Sequence, residues 1–272
     1  MTRLQQRLGA LRSAGRKALV PFVTAGDPSL AATVPVMHAL AEAGADVIEL
    51  GVAFSDPMAD GPVIQRSSER ALLRGAGLRY VLDCVRSFRE RDAVTPVVLM
   101  GYLNPVEIRG VATFAADAAE AGVDGVLLVD LPPEEADEYR AAFSHHGLAL
   151  ISLASPTTPQ ARLERLCAQA DGYLYYVSFA GVTGADRLDV DDAGQRLQQL
   201  RSLGPAPVFA GFGIRDAGSA RAMAEHADGV VVGSALVSAL DGSVDAGEAA
   251  TRAAAFLRPL RTALDSLAVA AA

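Results

Sequence analysis

Eight short apolar runs, each followed by a longer helix-forming segment, constrain the fold of this chain more than any other feature. They cover residues 18–24, 46–52, 95–102, 125–130, 148–154, 172–178, 207–213 and 229–234. Each run is nearly continuous in apolar character rather than alternating, the mark of parallel strands covered on both faces. Amphipathic helix candidates lie between them over 31–43, 106–121, 133–144, 159–170 and 216–225. Eight strands each followed by a helix predict an α/β fold, a single (β/α)8 TIM barrel. A doubly wound sheet is the rival, but no GxGxxG follows the first strand and eight units recur evenly. A barrel of this kind needs about 250 residues. Residues 1–272 therefore read as one TIM-barrel domain, with a helix at the N-terminus.

A weak internal repeat agrees. Residues 41–48, 119–126 and 224–231 share an Ala-Glu start and an Asp ahead of the next strand. Gly44 and Gly122 suit the left-handed position that ends a helix. Two places exceed the basic unit. Residues 54–92 hold a long loop and room for two helices, and 179–192 read as a mobile Gly-, Thr- and Asp-rich loop. Both follow strands, so both belong to the C-terminal face, where barrel active sites sit. The Ala-rich tail after Leu267 is expected to fray.

Charge narrows the partners. A net charge of −8 lacks the basic footprint that nucleic acid requires. No apolar stretch approaches the roughly 18 residues that span a membrane, and 18–23 is too short for a signal sequence. The expected location is cytoplasmic. Cys84 and Cys167 have no Cys or His at metal spacing and read as buried hydrophobes. His38, His145, His146 and His226 read as surface or packing residues. No metal or cofactor motif appears.

Two carboxylates stand out. Glu49 lies inside the second strand, where an ionisable group is costly unless paired. Its bland reading is a buried, satisfied charge; its functional reading is an acid/base group whose pKa burial has raised. Asp60 sits two residues before Pro62, which suits the first position of a helix. Asp60 would then be a simple cap, or an anion held ionised by the helix dipole. Paired acids in divergent environments are the pattern of divided acid/base labour. Glycines at 181, 184, 211, 213 and 233 follow the sixth, seventh and eighth strands. Barrels commonly build a phosphate site there, with a short extra helix after strand eight, here 235–240, and Ser234 at its positive end.

These motifs together resemble the tryptophan synthase alpha subunit family, nearly end to end. The segments that carry the resemblance are Pro21-Phe-Val-Thr-Ala-Gly-Asp-Pro28, Glu49-Leu-Gly-Val and Phe54-Ser-Asp-Pro-Met-Ala-Asp-Gly-Pro62 with Gln65. Met100-Gly-Tyr-Leu-Asn-Pro105, Ser178 to Gly184, Gly211-Phe-Gly213 and Gly233-Ser-Ala235 complete the set. The resemblance implies a cofactor-free retro-aldol lyase that releases indole and glyceraldehyde 3-phosphate from indole-3-glycerol phosphate. Glu49 matches the acid/base group and Asp60 the acceptor of the indole N–H, with Tyr175 beside the cleaved side chain. Phe22, Met100, Leu127 and Phe212 match the apolar pocket. Gly184, Gly213, Gly233 and Ser234 match the phosphate cradle, and Thr183 the loop residue that closes near Asp60. The implied partner is a beta subunit in an α2β2 heterotetramer, facing Asp56, Pro57, Asn104 and Pro132.

The sequence departs from the family at Ala53, where Pro is usual, and at Phe179-Ala180, which is not the commonest pairing. Losing that Pro frees the loop backbone carrying Asp56 and Asp60. Competing readings are a lyase that works without a partner, another phosphate-binding barrel such as a sugar-phosphate isomerase, and a catalytically silent barrel serving as a binding subunit.

Overall fold

The computed structural model describes residues 1–177, 190–211 and 213–270, without the side chains of 190–192 and 268–270. Its strands are β1 (Ala18–Thr24), β2 (Ile48–Gly51), β3 (Val97–Gly101), β4 (Gly125–Leu128), β5 (Ala149–Leu150), β6 (Ser152–Ala154), β7 (Leu174–Tyr176), β8 (Val208–Ala210) and β9 (Gly229–Val232). All pairings are parallel, in the order β5-β4-β3-β2-β1-β9-β8-β7-β6.

The eight expected runs are all strands. The ninth arises because the run 148–154 divides at Ile151. Its first half bonds back to β4 and its second half on to β7. The two ends of the sheet thus belong to one bent run, which nearly closes the barrel.

The helices are α1 (Arg3–Ser13), α2 (Thr33–Glu42), α3 (Pro62–Leu73), α4 (Leu78–Arg89), α5 (Leu103–Arg109), α6 (Val111–Ala121), α7 (Asp137–His145), α8 (Gln160–Gln169), α9 (Val190–Leu203), α10 (Ala217–Ala224), α11 (Ser234–Leu240) and α12 (Ala246–Ala270). Three differ from expectation. The helix predicted over 106–121 is two helices, broken at Gly110 with φ +83°. That value suits glycine and ends a helix. The helix predicted from 133 begins at Asp137, because the preceding prolines enter a turn closed by Glu135 N–H on Pro132 O. Helix α12 continues past Leu267, where the tail is expected to fray, as far as Ala270.

Period-two alternation sorts each strand into two layers. Val20, Val47, Val98, Leu127, Tyr173 and Phe209 fill the barrel interior. Their neighbours Leu19, Ile48, Leu99, Val126, Leu174 and Val208 pack outward against the helices. Helix α1 covers the N-terminal end of the barrel, and its Leu4 and Leu11 join the interior cluster. Buried carboxylates anchor it: Arg3 reaches Asp124 at 2.6 Å and Arg7 reaches Asp46 at 3.0 Å. Asp46 is wholly buried and also takes Arg261 at 2.8 Å and the Leu19 amide at 2.9 Å. Ion pairs therefore close one end, and the loops after the strands are left to shape the other. Among the described residues, no helix is long and apolar enough to cross a membrane.

Candidate active site

Glu49 lies on β2, in register with Phe22 on β1 and Val98 on β3. Strand alternation turns it inward with Val47, so a carboxylate enters an apolar interior. It is wholly buried. Tyr173 Oη donates a 2.6 Å hydrogen bond to Glu49 Oε1, while Oε2 has no partner among the described residues. Burial disfavours the anion and pushes the Glu49 pKa up to about 7, against the opposing pull of the Tyr173 hydrogen bond. Burial thus acts on Glu49 in the direction expected from sequence.

Asp60 lies on the loop between β2 and α3. Pro62 is the first residue of α3, as expected, but the cap is Gly61, so Asp60 is not a capping residue. Tyr102 Oη donates to Asp60 Oδ2 at 3.1 Å and itself accepts the Ala59 amide at 3.0 Å. Gln65 Nε2 donates to the Asp60 carbonyl at 2.8 Å. Burial raises the Asp60 pKa to about 6, with the Tyr102 hydrogen bond pulling the other way. Asp60 therefore remains mostly an anion at neutral pH, with a narrower margin.

Tyr175 brings the two acids into one site. It lies on β7, two residues beyond Tyr173 and on the same interior face. Its phenol is pushed well above the usual range, first by burial and then by the charges of Glu49 and Asp60. A Cβ at Gly211 would meet the Tyr175 ring at 1.9 Å, so the missing side chain makes room for the tyrosine. Phe22 similarly crosses over Gly51, where a Cβ would meet its ring at 2.7 Å. Met100 and Leu127 are paired on β3 and β4 and belong to the interior layer.

The glycines fall where the late strands end. Gly213 follows β8 with φ +65°, and Gly233 is the cap of α11. Ser234 opens that helix and is exposed. The first-turn amides of Ser234, Ala235 and Leu236 have no intrahelical acceptor. Thr183, Gly184 and Phe212 lie outside the described residues.

Asp56 and Pro57 lie on the loop after β2 and Pro132 on the loop after β4, while Asn104 lies in the first turn of α5, after β3. Leu103 N–H, at the start of α5, binds Asp130 Oδ1 at 2.8 Å and ties that helix to the loop after β4. Exposed Met58 and Ile108 lie on the same side. A cavity of about 830 Å³ opens here between Phe54, Leu82, Arg86, Asn104 and Ile108, beside the site rather than at Glu49. Among the described residues, no cluster of His, Cys, Asp and Glu is arranged to hold a metal.

Sequence reasoning missed two tyrosines. Tyr173 was legible in principle, since the residue two before Tyr175 on a strand shares its face. Tyr102 stands within a quoted motif, yet nothing in the sequence shows that its hydroxyl reaches back 42 residues to Asp60. Phe54 stacks on Tyr102 at 5.1 Å and holds it over that loop.

The sequence profile of the family described as tryptophan synthase alpha chain matches residues 8–264. The chain belongs to the tryptophan synthase alpha chain family. It is 68% identical over 271 residues to the tryptophan synthase alpha chain of Xanthomonas campestris, covering 98% of this chain and all of that one. It is 70% identical over 266 residues to that of Xanthomonas oryzae, covering 97% and 99%. The crystal structure of tryptophan synthase subunit alpha from Legionella pneumophila superposes with a TM-score of 0.91 at 45% identity, covering 98% of this chain and 99% of that one. A chain of tryptophan synthase from Mycobacterium tuberculosis, in its aminoacrylate-bound form, gives 0.86 at 34% identity, covering 97% and 100%. These relatives share the barrel and favour the tryptophan synthase alpha reading over a sugar-phosphate isomerase or a silent barrel.

Proposed function

We propose that this family member is a lyase that cleaves indole-3-glycerol phosphate to indole and glyceraldehyde 3-phosphate. The observation that carries the reading is the pair of carboxylates acting on Tyr175, wholly buried Glu49 near pKa 7 and half-buried Asp60 near 6. Protonated Glu49 gives its proton to the indole carbon that bears the side chain. Positive charge then develops on the ring, and the Asp60 anion stabilises it through the indole N–H. The Glu49 carboxylate takes the proton of the adjacent glycerol hydroxyl as the carbon–carbon bond breaks. Its electron pair returns to the ring, the hydroxyl carbon becomes the aldehyde, and Glu49 ends protonated. No cofactor enters this balance.

Phe22, Met100 and Leu127, with Phe212, line the indole side in this reading. Gly213, Gly233 and Ser234, with Gly184, take the phosphate, and Thr183 closes the site. Asp56, Pro57, Asn104 and Pro132 face a beta subunit, in an α2β2 assembly working in the cytoplasm. The whole chain, 1–272, is one domain.

The test is indole release from indole-3-glycerol phosphate, by the chain alone and with a beta subunit added. Weak release that rises on mixing supports the full reading. Strong release unchanged by mixing keeps the chemistry and removes the partner. No release in either case overturns the proposal. Glu49→Gln is expected to abolish release while substrate affinity stays within about tenfold.

A further inference from the structure

On the face opposite the Glu49 mouth, a second cavity of about 360 Å³ lies between the end of α1, the start of β1 and the segments leading into β8 and β9. Its walls are Leu8, Leu11, Pro205, Pro207 and the ring of Phe209. Four cations also line it: Arg12, Arg16, Lys17 and Arg201. Two of them are engaged. Arg16 pairs with Asp46 at 3.1 Å and Asp265 at 3.0 Å, and Arg201 pairs with Asp228 at 2.9 Å.

The other two form no ion pair among the described residues. Lys17 is partly buried; its ammonium donates to the Ala227 carbonyl at 2.7 Å and feels the charge of Asp228 without pairing with it. Arg12 is exposed at the rim and makes no hydrogen bond or ion pair through its side chain among the described residues. The one carboxylate lining the cavity, Asp228, is already held by Arg201 and by the Val208 amide at 3.0 Å. The carbonyls that end α1 are already taken by backbone amides. Ala10, Arg12 and Leu11 carbonyls accept the Ala14, Gly15 and Arg16 amides. Two cations without an ion pair thus share an apolar recess on a chain whose net charge is −8.

We propose that this recess binds a small carboxylate bearing one aromatic or branched apolar group. The Arg12 fork suits the planar carboxylate and Lys17 adds a point charge behind it. The apolar group fills the space between Leu8, Pro205 and Phe209. The volume lies at the low end of ligand cavities, enough for a single ring. A free phosphate ion has no use for the apolar walls, so the walls decide the class. Phe209 stacks on Tyr173 at 4.4 Å, and Tyr173 holds Glu49. The recess is therefore separated from the catalytic carboxylate by two stacked rings.

Binding is independent of the reaction proposed above and is tested without it. Benzoate, benzamide and inorganic phosphate are titrated calorimetrically into the full chain. Saturable benzoate binding with Kd of about 1 mM or below is expected, with benzamide and phosphate at least about tenfold weaker. Lys17→Gln and Arg12→Gln are each expected to weaken benzoate by about tenfold. Arg12 is exposed and unpaired, so Arg12→Gln keeps its fold even should Lys17→Gln lose it. Arg12 is also remote from the Glu49 mouth, so its effect locates the binding. Equal affinity for benzamide or phosphate, unchanged affinity in Arg12→Gln, or no saturable benzoate binding overturns the proposal.

Discussion

Tyr173 Oη lies 2.6 Å from Glu49 Oε1 and gives that carboxylate its one hydrogen bond among the described residues. The bond favours the anion, whereas burial favours the acid, and burial wins. Removing the hydroxyl leaves burial unopposed. Tyr173→Phe is therefore expected to raise the Glu49 pKa further above about 7. A net hydrogen bond of about 1 kcal/mol corresponds to a shift of up to about one pH unit. In the proposed mechanism Glu49 begins protonated, so activity falls as pH rises through its pKa. The basic limb of the pH profile of kcat/KM should move upward in Tyr173→Phe while the acidic limb stays. A stationary basic limb would remove Glu49 from that limb.

Tyr102 stands to Asp60 as Tyr173 stands to Glu49, through a 3.1 Å hydrogen bond that favours the anion. Asp60 must be ionised to stabilise the ring, so activity falls as pH drops through about 6. Tyr102→Phe raises that pKa and should move the acidic limb up by as much as about one unit. The substrate phosphate also titrates near 6. It is common to both enzymes, so the difference between the two profiles isolates Asp60. A shift of the basic limb alone would contradict the pairing.

The contrast between these two tyrosines shows what a sequence yields. The strands were legible because buried parallel strands are continuous apolar runs, and all eight runs were found. Glu49 was legible because a charge interrupts one of them. Gly110 was missed as a helix break since nothing flanking it departs from helical periodicity, and the division at Ile151 depends on which neighbour each half bonds. The upward pull on the Asp60 pKa has no sequence signal, because a helix N-terminus is visible in sequence and the desolvation of the carboxylate ahead of it is not. Contacts between the segments that follow neighbouring strands, such as Tyr102 after β3 to Asp60 after β2, depend on how those segments fold back and have no local signal.

Gly211 makes room for Tyr175 by lacking a Cβ, which would lie 1.9 Å from the ring. Its φ is not in the left-handed region, so the demand is for space rather than backbone freedom. Gly211→Ala is expected to displace Tyr175 and to cost about 1–3 kcal/mol of stability through overpacking. Truncation by Tyr175→Ala removes the atoms it strikes. The double variant should then be more stable than the sum of the two single effects predicts, by about 1 kcal/mol or more. Chemical denaturation of the four proteins measures this. Strict additivity would mean that the two residues do not meet.

Glu49 also carries a stability signature that needs no substrate. Its pKa is about 7 in the folded chain against an ordinary 4.5. Between those values the folded state binds more protons than the unfolded state. Stability therefore falls as pH rises from about 4.5 through about 7, and levels off above. A shift of this size corresponds to about 3 kcal/mol. Glutamine is neutral throughout and lacks the decline. Glu49→Gln should lose ground to the wild type nowhere along that rise, and its relative stability should grow by about 3 kcal/mol between pH 4.5 and pH 8. Urea denaturation of both proteins across that range measures the difference. Parallel curves would mean that Glu49 titrates as an ordinary carboxylate, and the acid role proposed for it at neutral pH would be lost with the shift.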